Sequence, residues 1–165
     1  MREIKNKKQA VRLYNIVFLP LWTWLLFPAF WRLGLPANFL IDSLVLAAAM
    51  MLLHYQNKFI VWRKSILKIW LIGFGADLAG AFLIYAIVIS ISNWLGGLNI
   101  EQPPLEQLTA LPGVVLAGIL IYFLNRLFSF KKTELEPAQI RRLSLILAAA
   151  TAPYAMLIPT SWLAG

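Results

Sequence analysis

The chain has no cysteine, a single histidine and few charged residues, which make up only 13% of its 165 residues. Without cysteine it can have no disulfide, no thiolate nucleophile and no Cys-ligated metal centre. A soluble domain normally carries about 25% charged residues. The shortage of charge therefore excludes an ordinary soluble domain, because too little polar surface is present to cover the apolar side chains.

Recognisable catalytic motifs are also absent from the sequence. There is no HExxH zinc motif, no nucleophile elbow and no phosphate-binding GxxxxGK[ST] loop. GFGAD, Gly73 to Asp77, is similar to the GxGD motif of intramembrane aspartyl proteases, but one inserted residue turns the acid about 100° around a helix. His54 lies at the end of an apolar run, where an interfacial position explains it. We predict that the chain is not an enzyme and needs no cofactor and no metal.

What the chain has in abundance is hydrophobic residues, at 61% of the sequence with a mean hydropathy of +0.73. This composition predicts an all-α fold, a single membrane domain over 1–165 with five transmembrane helices. A hydrocarbon core of about 30 Å needs about 20 apolar residues per helix. The N-terminal run is too long for a signal peptide and predicts an uncleaved first span. The predicted spans are approximately 12–31, 36–55, 67–94, 113–130 and 139–162, with Arg32-Leu33-Gly34-Leu35 as a tight turn between the first two.

The net charge of +8 at first suggests nucleic acid as a partner. The basic residues, however, lie in short clusters between apolar runs, and five spans place all of them except Arg32 on one side of the membrane. The connection between the third and fourth spans carries Glu101 and Glu106 and no basic residue. The positive-inside rule then predicts a cytoplasmic N-terminus and an external C-terminus. We predict no nucleic-acid partner, and the lipid bilayer as the main one.

Two aspartates lie inside predicted spans, where lipid should exclude them. Asp42 is in the second span, four residues after Asn38. Asp77 is in the third span, on a stripe of small residues formed by Gly73, Ala76 and Gly80. Small residues allow close helix packing, so this stripe and its acid are predicted to face protein. Acids within a membrane often mark an ion or proton route.

We hypothesise that Asp42, Asp77 or both are protonatable interior groups and candidate ion or proton sites. The alternative is that they only hydrogen-bond neighbouring helices, with Asn38, Asn125 and Thr151 among the supporting polar residues. If each span is centred in the membrane, the two acids lie about 10 Å apart along the membrane normal. That separation predicts two positions on a route, with no shared proton. Pro153 frees the carbonyl of Ala149, which a cation or a neighbouring hydroxyl can bind.

The segments RLYNIVFLPLW, LPANFLIDSLVL, GFGADLAG and ATAPYAMLIPT resemble those of small multi-span membrane proteins of clostridial-type bacteria. The resemblance covers nearly the whole chain. It implies the bacterial cytoplasmic membrane as the location and carries no activity with it.

Two functions remain open from the sequence. The first is translocation of a small ion or solute, alone or as a transporter subunit, with Asp42 and Asp77 as proton or cation sites. The second is a non-transporting protein that binds or regulates another membrane protein through its small-residue stripes. A homo-oligomer is compatible with either function.

Overall fold

The computed structural model describes residues 28–94 and 103–159, and within these residues the protein is all-α. Four segments are long and apolar enough to cross a membrane, with mean hydropathies between 1.2 and 2.0. These segments make the chain a polytopic membrane protein. The elements are α1 Pro28–Leu52, α2 Lys58–Trp94, α3 Leu105–Leu124, a π-helical turn Asn125–Ser129, α4 Pro137–Thr151 and a 3-10 turn Tyr154–Leu157.

The helices pack in a closed order around a common core. α2 packs against both α1 and α3, and α4 packs against the same two helices. The buried core is mostly aliphatic, with Leu46, Ile69, Ile121 and Leu147 at most 1% exposed. Many other large apolar side chains point outward on all four helices, as a lipid solvent allows.

The turn predicted at Arg32-Leu33-Gly34-Leu35 is wrong, because α1 continues through these residues to Leu52. Pro36 lies inside the helix and removes only the hydrogen bond to the Arg32 carbonyl. Trp70 of α2 supports the backbone beside it, since its indole Nε1 donates to the Leu35 carbonyl at 2.9 Å. Neighbouring helices can stabilise a proline in a membrane helix in this way. Most of the first predicted span lies outside the described residues, so the five-span count remains a prediction.

Three other helix bounds differ from the predicted spans. α2 begins at Lys58, so the basic stretch before residue 67 is helical, and its 37 residues are about 55 Å long. α3 begins at Leu105 and contains Pro112. α4 ends at Thr151, before Pro153, because proline cannot continue the helix.

A contact between two glycines fixes the spacing of α2 and α3. A Cβ added at Gly80 would come within 2.6 Å of the Gly113 carbonyl oxygen and 3.3 Å of the Ala117 Cβ. The two backbones therefore touch, as expected where small residues replace large ones in a membrane interface. Toward the other end of the same pair, Lys68 Nζ donates to the Phe128 carbonyl at 3.1 Å. The two helices consequently run antiparallel.

The connection between α1 and α2 is a helix C-cap with a left-handed residue. His54 has φ of 53° and donates its backbone N–H to the Met51 carbonyl at 3.2 Å, while Tyr55 N–H bonds the Met50 carbonyl at 3.1 Å. These two hydrogen bonds form a Schellman motif, in which the left-handed position usually holds glycine. The motif ends α1 and directs the chain toward the start of α4, where the Tyr55 hydroxyl donates to the Gln139 carbonyl at 3.5 Å.

Candidate functional site

The most deeply buried acid is Asp42 of α1, which is 0% exposed. Its side chain points at α2, where Gly73 leaves room for it. A Cβ at Gly73 would lie 3.1 Å from Asp42 Oδ2, closer than most side chains tolerate. The amide nitrogen of Asn38, one turn earlier on α1, is 3.9 Å from the same point. Gly73 thus acts less as a helix-packing residue than as the space that holds the carboxyl of Asp42.

Neither oxygen of Asp42 has a hydrogen-bond partner among the described residues. The hydroxyl of Thr151, on α4, lies beside the carboxyl. However, that hydroxyl donates its only hydrogen to the Leu147 carbonyl at 2.8 Å. A hydroxyl has one hydrogen and two lone pairs, so while that bond is made Thr151 can accept a hydrogen bond from Asp42 but cannot donate one. With the hydroxyl in this orientation, the Asp42–Thr151 hydrogen bond forms only when Asp42 is protonated.

Asp77 belongs to the same region of the bundle. It lies one helical turn beyond Gly73, about 6 Å along α2, and its charge interacts with that of Asp42. Asp77 is half-buried, and its Oδ1 is buried without a hydrogen-bond partner among the described residues. The sequence estimate of about 10 Å between the acids along the membrane normal remains a prediction. That estimate centred each span separately, whereas α1 and α2 both extend beyond their predicted bounds.

The local electrostatics oppose a negative charge at Asp42. α4 ends at Thr151, so the carboxyl lies beside the C-terminal end of a helix, which carries about half a unit of negative charge. A second carboxyl lies one turn away on α2. A buried, unpaired carboxylate already costs several kcal/mol on its own. The arrangement therefore favours a bound proton or small cation between α1, α2 and α4.

The described residues contain no group of three or more His, Cys, Asp or Glu side chains that could hold a metal. The carbonyl of Ala149, which Pro153 frees, is also not an open ligand. The Tyr154 hydroxyl donates to it at 2.8 Å. The sequence predicted either a cation or a hydroxyl as the partner of this carbonyl, and the structure shows a hydroxyl.

Asn125 does not bond either acid in the structure. Its side chain is 0% exposed and donates from Nδ2 to the Ile121 carbonyl at 2.9 Å, while its Oδ1 accepts from the Ser129 hydroxyl. Both bonds lie at the π-helical turn that ends α3. Asn125 therefore stabilises that turn, and the polar groups facing the acids come from Asn38 and Thr151.

The small-residue stripe lies inside the bundle. Gly73, Ala76 and Gly80 are all buried on α2. Gly73 faces Asp42, and Gly80 faces Gly113 of α3. This stripe therefore packs against helices of the same chain, and its surface is not open to another protein.

Sequence reasoning missed Ser144 of α4. Its side chain is 0% exposed, and its hydroxyl has no hydrogen-bond partner among the described residues. Ser144 precedes Thr151 by seven residues, which is two turns on the same helix face. That spacing was a usable signal, because a serine and a threonine on the inward face of a short apolar helix form a polar line toward Asp42.

No protein family, curated protein or solved structure matches this chain. The chemistry of the site must therefore be inferred from its own residues.

Proposed function

We propose that the protein moves a small cation, with the proton as the leading case, across the bacterial cytoplasmic membrane. It does so alone or as one subunit of a larger transporter. The observation that supports this proposal is the state of Asp42: a fully buried carboxyl, without a partner for either oxygen, one turn from a second acid. Structural hydrogen bonding, the competing explanation, has one candidate partner beside the carboxyl, the Thr151 hydroxyl, whose hydrogen goes to the Leu147 carbonyl.

The proton would bind at Asp42 and pass to Asp77. A neutral Asp42 donates to the Thr151 oxygen, which satisfies the carboxyl while the proton is held. Transfer breaks the O–H bond of Asp42 and forms one on the carboxylate of Asp77, which leaves the charge of the pair unchanged. Because Asp77 lies farther along α2 than Gly73, the two acids form successive positions along the bundle axis. A small monovalent cation would use the same oxygens.

The proposed topology has five spans, with the N-terminus in the cytoplasm and the C-terminus outside. Its support is the distribution of basic residues. The α1–α2 connection and the start of α4 lie together at one end of the bundle, joined by the bond from Tyr55 to Gln139. Lys58, Lys64, Lys132 and Arg142 cluster around this end, which the positive-inside rule assigns to the cytoplasm.

Proteoliposomes test the proposal directly. Purified protein is reconstituted, a pH gradient is imposed, and proton flux is followed with an entrapped pH-sensitive dye. We expect Asp42→Asn and Asp77→Asn each to lower the flux at least about tenfold, because an amide cannot take up and release the proton. Glu134→Gln is the matched control, since it removes an exposed acid outside the spans and should leave the flux unchanged.

Two outcomes would contradict this proposal. The native protein could give the flux of empty vesicles for protons and for Na⁺ or K⁺, or both aspartate variants could transport at the native rate. In the first case, co-purification of a stoichiometric membrane protein would favour the alternative, a non-transporting partner or regulator. That partner would have to bind the outward apolar side chains, because the stripe of Gly73, Ala76 and Gly80 is buried within the chain.

A further inference from the structure

A second polar feature lies outside the spans, at the basic end of the bundle. A cavity of about 640 Å³ opens between the α1–α2 connection and the first turns of α4. The connecting residues 53–57 line one side of it, and residues 133–136, 138 and 139 line the other. This is the level at which α1 ends and α2 and α4 begin, which is the membrane-surface end of these apolar segments if they cross a bilayer.

Two solvent-exposed cations line this cavity, each from a different helix. Lys64 extends from α2 and Arg142 from α4, and neither forms an ion pair within 28–94 or 103–159. Arg142 also acts through its charge on Tyr55, whose pKa is raised by burial and lowered again by this guanidinium. Lys and Arg side chains bind oxyanions through charge-assisted hydrogen bonds.

The acids on the lining limit the charge of a ligand. The carboxyl of Glu136 accepts the backbone N–H of Gln139 and so caps α4. Glu134 is the other acid on the cavity wall. Two acids match the two cations in number, so the lining has no net formal charge and suits a single phosphate group better than a polyanion such as nucleic acid.

The backbone of the connecting loop is held in an unfavourable conformation on the cavity wall. His54 and Asn57 both line the cavity, and both have positive φ, at 53° and 52°. Side chains larger than glycine adopt this region at a cost, and such strain clusters at binding sites. A glycine at His54 would satisfy the helix cap but would leave the cavity without the imidazole.

We propose that this cavity binds a phosphate-bearing group, recognised by Lys64 and Arg142 with His54 at the rim. The source is a phospholipid headgroup of the same leaflet or a soluble phosphate ester. This proposal does not involve Asp42 and Asp77, which lie inside the bundle. It depends on the cavity, its two cations and its strained loop.

Competition binding on the full-length protein in neutral detergent tests this inference. The probe is a phosphatidylglycerol with a fluorescent acyl chain. The competitors are unlabelled phosphatidylglycerol, diacylglycerol with the same acyl chains, glycerol 1-phosphate and inorganic phosphate. Competition by phosphatidylglycerol alone would identify a lipid headgroup. Competition by glycerol 1-phosphate or inorganic phosphate as well would identify a site that also takes soluble phosphates. Both results support recognition of phosphate.

The decisive comparison uses two double variants of equal charge. Lys64→Gln with Arg142→Gln removes both cations from the cavity, and we expect it to weaken binding at least about tenfold. Arg63→Gln with Arg141→Gln removes exposed cations one position earlier on the same helices, and it should change binding less than about twofold. The circular dichroism of both proteins establishes that they are folded.

Three results would overturn the inference. The probe could fail to bind, diacylglycerol could compete as well as phosphatidylglycerol, or the two double variants could lose affinity equally. Equal losses would mean that the basic end attracts anions diffusely, without a defined site.

Discussion

At the scale of single residues, two positions hold a side chain that is energetically unfavourable there. Asp42 is a buried acid beside the negative end of α4, and Gly73 provides the space for its carboxyl. His54 is a bulky residue at a backbone position that favours glycine. Neither arrangement improves the stability of the fold. Each therefore points to a bound species: a proton or cation at the first, a phosphate at the second.

The strain at His54 gives a direct prediction for stability. His54→Gly should raise the free energy of unfolding by about 1 kcal/mol, because glycine adopts the left-handed region without the clash of a Cβ. The measurement is the thermal unfolding midpoint of the purified protein in detergent. The same change should weaken binding of the phosphatidylglycerol probe.

Asn57→Gly is the matched control for this prediction, since Asn57 has nearly the same φ and a short asparagine side chain can hydrogen-bond locally in that region. Its stabilising effect should be smaller than that of His54→Gly. A lower unfolding midpoint for His54→Gly would contradict the prediction, because it would mean that the imidazole stabilises the fold through its own contacts.

At the scale of helices, close backbone contact sets the spacing of α2 and α3. The α2–α3 contact at Gly80 and Gly113 leaves no room for even one methyl group on either residue. Without a hydrophobic driving force between helices in lipid, dispersion contacts at such short range provide much of the association energy. The register of α2 against α3 is therefore set by these glycines.

Two glycines of the same helix provide a test of this argument. Gly80→Ala should lower the free energy of unfolding by about 1–3 kcal/mol, because the added methyl group would overlap the Gly113 carbonyl. Gly75→Ala should raise it by up to about 1 kcal/mol, because nothing lies within 4 Å of its Cβ position and alanine favours helix. Thermal unfolding of both variants gives the comparison. Equal effects of the two substitutions would contradict the proposed contact.

Much of the helical architecture could be predicted from the sequence, because long apolar runs have few other structures available in lipid. The continuous helix through Arg32-Leu33-Gly34-Leu35 could not be predicted in the same way. Gly34 and Pro36 are typical of turns, but the hydrogen bond from Trp70 to Leu35 that supports the continuous helix joins residues 35 positions apart. Local propensity carries no information about a partner so distant in the chain.

The geometry of the candidate site also depends on contacts between residues that are distant in the chain. Asp42 and Asp77 stand out in the sequence because acids are rare in apolar runs. The distance between them depends on the offset between α1 and α2, which only packing determines. Thr151 could be named from its place on a small-residue face, but the direction of its hydroxyl hydrogen toward Leu147 could not.

At the scale of the whole molecule, charge is concentrated at one end of an apolar bundle. Residues 53–57 and 133–139 meet at that end, while α2 extends about 55 Å away from it to Trp94. An asymmetry of this kind fixes orientation during insertion. It also places the cavity for which we propose phosphate binding at one membrane surface, the cytoplasmic one in the proposed topology.

The absence of native cysteine allows the proposed topology to be tested with single introduced thiols. Glu134→Cys should react with a membrane-impermeant maleimide only after the cells are permeabilised, because residue 134 lies at the basic end. Trp94→Cys, at the opposite end of α2 and 90% exposed, should react in intact cells. An epitope at the N-terminus should be protected together with residue 134 if a fifth span precedes α1. An accessible N-terminal epitope with a protected residue 134 would instead require an even number of spans, and labelling of residue 134 in intact cells would reverse the orientation proposed for the site and the cavity.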